Sequence, residues 1–207
     1  MCHIWYNIIQ KMEYMLKTTI YKKLIKLKKE IYTFADIKKV TGLENDNSTY
    51  QAIKRLKKDS ILESAANRVY YLSDNPPSEF SLANNLYPPS YISLESALNY
   101  YGIIIQVPQV ITSVSTKKTK YITAKNKEFL YSRINKNYFF DYIKEKDFLI
   151  ATPEKALIDT IFFTAIGKSR TDLSELFLSN VNKKRFRKLK EKIKNKSFHK
   201  LTEGLKI

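Results

Sequence analysis

The side chains best suited to bind another molecule lie in the segment NSTYQAIKRLKKDS, at positions 47 to 60. On a helix with 100° per residue, Thr49, Ile53 and Leu56 fall on one side and the polar and cationic side chains on the other. Such a polar face suits nucleic acid, because Lys and Arg neutralise phosphates while Asn, Gln and Arg hydrogen-bond to base edges. The residues of this predicted face are Asn47, Ser48, Tyr50, Gln51, Lys54, Arg55 and Lys58. An ordinary solvated helix has the same pattern, so the neighbouring elements must decide between the two interpretations.

Acidic side chains are the other candidates for chemistry, as metal ligands or as acid–base groups. Local roles account for them better, because a helix dipole favours Glu154 in a first turn and lysines flank Glu145. His3 and His199 lie near opposite ends of the chain, and four glycines leave no phosphate-binding loop. We therefore expect no enzymatic activity, no metal and no cofactor. The acids considered are Asp141, Glu145, Asp147, Glu154 and Asp159.

Two predicted helices precede the basic segment. Thr33 has capping-box spacing to the acid three residues later and begins a short helix that Gly42 ends. Before it, an apolar stripe over residues 20–31 predicts a further helix, with Thr18 or Thr19 as its cap. The basic segment therefore follows a helix, a second helix and a tight turn.

The basic segment is predicted to be a third helix, followed by a hairpin. Ser48 and Gln51 have capping-box spacing, which predicts a helix start near Asn47. After the helix, the strand-like runs ILES and VYYL enclose AANR. This order is typical of a winged helix-turn-helix, whose helix after the turn enters the major groove of DNA. We predict such a domain over residues 18–73.

The predicted hairpin adds three details. Arg68 lies at its tip and is a candidate for contact with the adjacent minor groove. Tyr70 and Tyr71 are successive strand residues, so one of them must face the core. Many winged helices have glycine just before the first wing strand, where a left-handed backbone is convenient, but here Asp59 and Ser60 occupy that turn.

The charge of the chain favours a polyanionic partner. The formal net charge is +17, and nucleic acid is the commonest such partner. A lysine-rich composition also arises from an AT-rich genome. The excess is nevertheless uneven: residues 17–73 and 171–207 each have a net charge of +7, whereas residues 74–170 have +3. A compositional bias would spread the charge evenly along the chain. The uneven distribution is better described as two basic surfaces that flank a more neutral body.

Cysteine content and hydropathy indicate the compartment. Cys2 is the single cysteine, which excludes an internal disulfide and a cysteine-based zinc site. No apolar run approaches the ~20 residues of a membrane span, so we expect a cytoplasmic protein. Residues 1–17 have no clear charge pattern. They are interpreted either as an N-terminal extension, with Met12 and Met15 as alternative starts, or as the first turns of the helix that follows.

A second domain is predicted over residues 81–207, after a linker of turn formers at 74–80. Ser93 and Gly102 mark the start and end of one helix, and Thr152 caps another. Between residues 106 and 150 the β-branched and aromatic runs predict several strands. The predicted fold class is therefore α+β: a winged helix-turn-helix followed by a mixed α/β domain with a small antiparallel sheet and C-terminal helices.

Two C-terminal helices are predicted after residue 171, and the last is strongly basic. Phe186, Leu189 and Ile193 form its inner stripe. The outer face has three possible roles: a solvated surface, a second DNA contact, or a surface for a toxin or RNA. The residues that would form the last of these are Lys184, Arg185, Lys188 and Lys192.

Three segments of the second domain are distinctive: the Ser-x-x-Ser-Ala-Leu-x-x-Tyr-Gly helix from Ser93 to Gly102, the pair Val107-Pro108, and TPEKALID from Thr152 to Asp159. Together with the preceding winged helix, they resemble the AbiEi family of bacterial antitoxin-regulators from abortive-infection type IV toxin-antitoxin systems. The resemblance covers most of residues 18–195. It implies a winged helix that represses its own operon through promoter DNA, and a second domain that neutralises a nucleotidyltransferase-like toxin.

A different class of function remains open. The basic ends of the chain could instead grip RNA, as in an RNA-associated protein or a nuclease. Specific retention of duplex promoter DNA would favour the repressor, whereas metal-dependent cleavage would favour the nuclease.

Overall fold

The structure is a computed structural model that describes residues 15–205. It is an α+β chain, and the described residues divide into two compact units after Pro77, within the segment 74–80 that the sequence predicts as a linker. We call them the first and second units. Within residues 15–205, none of the helices has the length and apolar character that crossing a membrane requires. Residues 1–14, with Cys2, His3 and Met12 of the predicted extension, lie outside the described residues.

The first unit contains three helices and a three-stranded antiparallel sheet in the order β1-β3-β2. Its elements are α1 over residues 15–26, β1 (Tyr32–Thr33), α2 (Phe34–Thr41), α3 (Asp46–Lys58), β2 (Leu62–Ala66) and β3 (Val69–Leu72). The predicted order of helix, helix, turn, helix and hairpin is thus observed, with one additional short strand before α2.

The core of the first unit joins all three helices to the sheet. Leu24 of α1, Ile37 of α2 and Leu56 of α3 are almost fully buried. They pack in one cluster with Leu62 and Leu72 of the hairpin. Because the apolar stripe of α3 is used in this cluster, the opposite face of α3 is left toward solvent.

Helix ends in the first unit follow local hydrogen-bond chemistry. The capping box at Thr33 and Asp36 is confirmed, and Gly42 adopts a left-handed backbone with φ 70° after α2. The helix α3 begins at Asp46, within one residue of the predicted start near Asn47. The predicted capping pair of Ser48 and Gln51 is wrong: Asn45 is the cap, and its side chain accepts a hydrogen bond from the Asn47 N–H. The cap predicted for α1 is also wrong, because the helix already includes residue 15 and the Thr19 hydroxyl donates to a carbonyl inside it.

The turn between α3 and β2 needs a left-handed residue, and a non-glycine residue supplies it. Ser60 has φ 54°. The Ile61 N–H then donates to the Leu56 carbonyl at 2.9 Å, which closes the end of the helix. A glycine at this position would adopt the same backbone at lower conformational cost.

The second unit is built on a six-stranded sheet in the order β6-β7-β5-β4-β9-β8. The predicted small antiparallel sheet is wrong, since β4 pairs with β9, and β5 with β7, in parallel. Each parallel pair joins strands that are not consecutive in the chain, so strand-like runs alone could not reveal their direction. The strands are β4 (Ser90–Ile92), β5 (Val110–Ser115), β6 (Lys120–Ala124), β7 (Lys127–Arg133), β8 (Tyr142–Glu145) and β9 (Phe148–Ala151).

Five α-helices of the second unit pack with this sheet or with each other: α4 (Glu79–Leu86), α5 (Leu94–Tyr100), α6 (Pro153–Ala165), α7 (Lys183–Lys190) and α8 (Lys196–Glu203). The first helix predicted after residue 171 is wrong, since Leu173–Glu175 and Leu178–Asn180 are short 3-10 turns. The predicted basic helix is broken in two, because α7 ends at Lys190 and Asn195 caps α8. Phe186, Leu189 and Ile193 are buried, which confirms the inner stripe.

Candidate functional site

The outer face of α3 carries the residues expected to bind nucleic acid. Lys54 and Arg55 lie in the middle of the helix, and both are exposed. All the predicted residues of this face are exposed: Asn47, Ser48, Tyr50, Gln51, Lys54, Arg55 and Lys58. The structure thus brings them together on one side of a helix whose other side is buried, a geometry that leaves the cations accessible to phosphate groups.

Arg68, at the hairpin tip, reaches the same region as α3. Its Nε and Nη2 atoms donate to the Tyr50 hydroxyl at 3.0 and 2.8 Å. The guanidinium also lies 5.1 Å from the centre of the Phe34 ring, and the Phe34 and Tyr50 rings are 4.5 Å apart. Arg68 has a left-handed backbone with φ 59°. Two aromatic rings and a hydroxyl therefore fix a cation beside the first turns of α3.

A shallow concavity of about 240 Å³ lies between α3 and the hairpin. Lys54 and Lys57 line it from the helix, and Ser64 and Tyr70 line it from the strands. Sequence reasoning omitted Lys57, although its position three residues after Lys54 places the two side chains on adjacent turns. A phosphate group bound here would lie near both lysines and the Ser64 hydroxyl.

Neither tyrosine of the third strand is an exposed contact residue. Tyr70 and Tyr71 have only 6% and 1% of their surface accessible, so both are buried, not just the one that strand alternation requires. Tyr70 belongs to the apolar core, and the Tyr71 hydroxyl donates to Glu63. Neither ring is therefore available for a surface contact.

The four basic residues predicted for a toxin-facing surface do not form one uniform face. Lys184 and Lys188 are exposed on α7, but Lys192 lies beyond its end, with its ammonium 4.7 Å from the centre of the Phe140 ring. Arg185 donates to Asp141 at 2.7 Å.

Glu154 provides a second acidic contact to α7. Its Oε2 lies 3.7 Å from Arg185 Nε, and its Oε1 accepts the Asn182 N–H at 2.8 Å. Glu154 and Asp141 therefore attach α7 to the rest of the unit, and Arg185 has a structural contact that Lys184 and Lys188 do not show.

A buried polar cluster forms where two of the distinctive sequence segments meet. Lys155 Nζ donates to Asp159 Oδ1, and both side chains are fully inaccessible to solvent. Asp159 Oδ2 accepts hydrogen bonds from the Ser93 hydroxyl at 2.8 Å and the Tyr91 hydroxyl at 3.0 Å. Ser93 is the N-cap residue of α5, as predicted, but its side chain makes no capping hydrogen bond and instead joins the end of β4 to α6.

Electrostatics in this cluster are dominated by burial. Desolvation raises the pKa of Asp159, while Lys155 and the two hydroxyls oppose that rise. Desolvation likewise lowers the pKa of Lys155, against the attraction of Asp159. Desolvation, followed by the neighbouring carboxylate, raises the pKa of the Tyr91 phenol. These buried hydrogen bonds join the end of β4 to α6.

The remaining acids of the sequence analysis are dispersed. Asp141 accepts the Thr152 hydroxyl at 2.6 Å, and Thr152 caps α6 as predicted. Glu145 ends β8, and Asp147 is exposed in the turn that follows. Across residues 15–205, no three His, Cys, Asp or Glu side chains are grouped in a way that could hold a metal ion.

Comparison with known proteins found neither a family model nor a curated protein that matches this sequence.

Proposed function

We propose that this chain is a cytoplasmic, non-catalytic DNA-binding autorepressor that also acts as an antitoxin against a nucleotidyltransferase-like toxin, as in the AbiEi family. In this proposal the first unit is a winged helix-turn-helix and α3 is its recognition helix. The observation that carries the proposal is the exposed polar and cationic face of α3 beside a hairpin tip that holds Arg68 against Tyr50.

The physical basis is complementarity to duplex DNA. A helix fits the major groove, where Arg, Asn and Gln distinguish base pairs. On α3, Asn47, Gln51 and Arg55 have such side chains, and the exposed Lys54 and Lys58 would bind phosphates. Arg68 at the hairpin tip has the charge that a narrow minor groove attracts.

The antitoxin part of the proposal is supported by the resemblance of the second unit, not by a visible active site. Two of the three segments that carry the resemblance meet in the structure, since Ser93 of one contacts Asp159 of the other. They therefore define the framework of this unit. Any surface that opposes a toxin would be displayed on that framework, and the exposed lysines of α7 are our first candidates.

A salt-dependent gel shift tests the DNA-binding part. Duplex DNA from the promoter upstream of this gene, competed with unrelated duplex and with RNA, should be retained by the full chain. The affinity should fall as salt rises, because bound cations release counterions from DNA. Equal competition by RNA, or cleavage that requires a divalent metal, would overturn the proposal and favour an RNA-binding protein or nuclease.

A genetic test addresses the antitoxin part. An adjacent reading frame that encodes a nucleotidyltransferase-like protein should be toxic when expressed alone and tolerated when co-expressed with this chain. Toxicity that this chain fails to relieve would contradict the proposal.

A further inference from the structure

A groove of about 880 Å³ lies in the second unit, lined by the loop after α5 and the segment after α6. Its apolar lining is unusually accessible: Ile105 is 76% exposed and Phe177 is 52% exposed. Val107, two residues along the same loop, is 77% exposed. Large apolar side chains that remain accessible together in this way are typical of a surface that binds another molecule.

The charge of this groove is opposite to that of the chain. Glu95, Asp172 and Glu175 line it, with Arg170 as the cationic lining residue. Within the described part of the chain, none of the three carboxylates forms an ion pair with Lys or Arg. This is notable in a chain with 37 Lys and Arg against 20 Asp and Glu.

Two of the carboxylates are held in place by neutral donors. Glu95 Oε1 accepts the hydroxyl of Thr171 at 2.7 Å and that of Ser169 at 3.2 Å. Asp172 Oδ1 accepts the Ser174 hydroxyl and N–H, and these hydrogen bonds lower the pKa of Asp172. Hydrogen bonds from neutral groups orient a carboxylate without cancelling its charge, so it remains attractive to a cation.

We propose that this groove docks a segment of a partner protein in which a large apolar side chain is flanked by Lys or Arg. The apolar side chain would pack against Ile105 and Phe177, and the flanking cations would lie near Asp172 and Glu175. Nucleic acid is disfavoured here because the carboxylates repel phosphates. A second copy is disfavoured because two chains of net charge +17 repel each other. This site does not depend on the proposed DNA binding of the first unit.

Fluorescence anisotropy with synthetic peptides tests the site on the full chain. The probes are fluorescein-labelled 12-residue peptides with a central Leu-Phe pair flanked by zero, two or four arginines. Net repulsion by the chain alone would weaken binding as arginines are added. Docking in this groove should instead strengthen binding, by about two- to fivefold per arginine, as expected for exposed ion pairs.

Variants locate the binding. Asp172→Asn with Glu175→Gln should weaken the four-arginine peptide about tenfold and leave the arginine-free peptide unchanged. Phe177→Ser should weaken all the peptides about tenfold or more, because it removes the apolar contact. Asp147→Asn with Glu203→Gln is the matched control, since both acids are exposed and the change in net charge is the same.

Four outcomes would overturn the proposal. The first is that no peptide binds, and the second is that affinity falls as arginines are added. The third is that the control variant weakens peptide binding as much as Asp172→Asn with Glu175→Gln does. The fourth is that sedimentation shows a concentration-dependent dimer that Phe177→Ser dissociates. The last outcome would assign the groove to a second copy. Thermal unfolding of each variant verifies that it remains folded.

Discussion

At the scale of single residues, the middle of α3 offers the sharpest test of DNA binding. Replacing Lys54 and Arg55 with alanine should weaken binding to promoter DNA without unfolding the first unit, because both side chains are exposed. Each lost phosphate contact should reduce the salt slope by about one unit, whereas a lost base contact should cost about 1–3 kcal/mol and relax sequence preference. Titrations at several salt concentrations measure both quantities.

A matched control is available on α1. Lys22 and Lys26 are also exposed lysines of the first unit, so Lys22→Ala with Lys26→Ala removes the same charge from a different helix. If both double variants change affinity and salt slope equally, only net charge matters and α3 has no special contact with DNA.

The hydroxyl of Tyr50 should position Arg68. Tyr50→Phe removes the oxygen that two Arg68 donors bind but retains the ring that packs on Phe34. We expect a loss of about 0.5–1.5 kcal/mol in DNA binding and a weaker preference for narrow, A·T-rich minor grooves, because the cation is no longer held. Binding measured on A·T-rich and G·C-rich flanks reports this preference. An unchanged preference in Tyr50→Phe, together with a loss in Arg68→Ala, would mean that the hydroxyl has no positioning role.

Several residues of the α3 face could be identified from sequence because their signals are local. Helical periodicity depends only on spacing. It therefore predicts correctly that Ile53 and Leu56 are buried and that Lys54 is exposed. The capping residue could not be predicted in this way, because the run from Asn45 to Ser48 contains several residues able to cap a helix. Asn45 is the residue whose oxygen meets the Asn47 N–H, a choice that sequence spacing did not resolve.

At the scale of elements, the buried pair in α6 should be important for the stability of the second unit. Lys155→Met leaves the Asp159 carboxylate buried without its cation, which should cost about 3–5 kcal/mol. Adding Asp159→Asn should recover much of that loss, because one amide oxygen can still accept the Ser93 and Tyr91 hydroxyls that Asp159 Oδ2 accepts now. Urea unfolding of the two single variants and the double variant measures the coupling. Additive losses would contradict an ion pair as the reason for the cost.

The two exposed lysines of α7 should be separable from its structural arginine. Lys184→Glu with Lys188→Glu should leave the second unit folded, whereas Arg185→Glu should destabilise it by placing a third carboxylate beside Asp141 and Glu154. Circular dichroism during heating distinguishes these effects. If the lysine variant is stable and still protects cells from the toxin fully, the basic face of α7 is only solvated, and the antitoxin surface lies elsewhere on the unit.

The elements of the second unit are harder to predict from sequence, because contacts between residues distant in the chain determine where these elements form. Three residues, from Ser90 to Ile92, form a central strand that is too short to give a pattern. Ser93 is the N-cap residue of α5, but a capping hydrogen bond from its side chain is absent for a similar reason, since its hydroxyl donates to Asp159, 66 residues away. By contrast, Thr152 caps α6 as predicted, because its hydroxyl accepts from the Lys155 N–H, which lies within the same turn.

At the scale of the whole molecule, charge is concentrated in the two segments of net charge +7, over residues 17–73 and 171–207. The structure assigns them to different compact units, each with its own sheet. Part of the lining of the acidic groove, including Asp172 and Glu175, lies in the second basic segment, so that segment contributes to surfaces of both signs. The net charge of the chain therefore suggests a polyanionic partner alone, whereas the local distribution of charge suggests a polyanionic partner and a cationic one.

The two proposed activities should separate when the chain is cut between Pro77 and Ser78. A fragment of residues 1–77 should still bind promoter DNA, because its core joins three helices to a sheet without residues of the second unit. Residues 78–207 should relieve the toxin without repressing the promoter. Comparing the salt dependence of DNA binding between this fragment and the full chain also shows whether C-terminal cations contact DNA. Equal slopes mean that they do not. A folded N-terminal fragment that no longer distinguishes promoter DNA from unrelated DNA would place sequence recognition outside the first unit. Toxin relief that requires both fragments together would mean that neither unit acts alone.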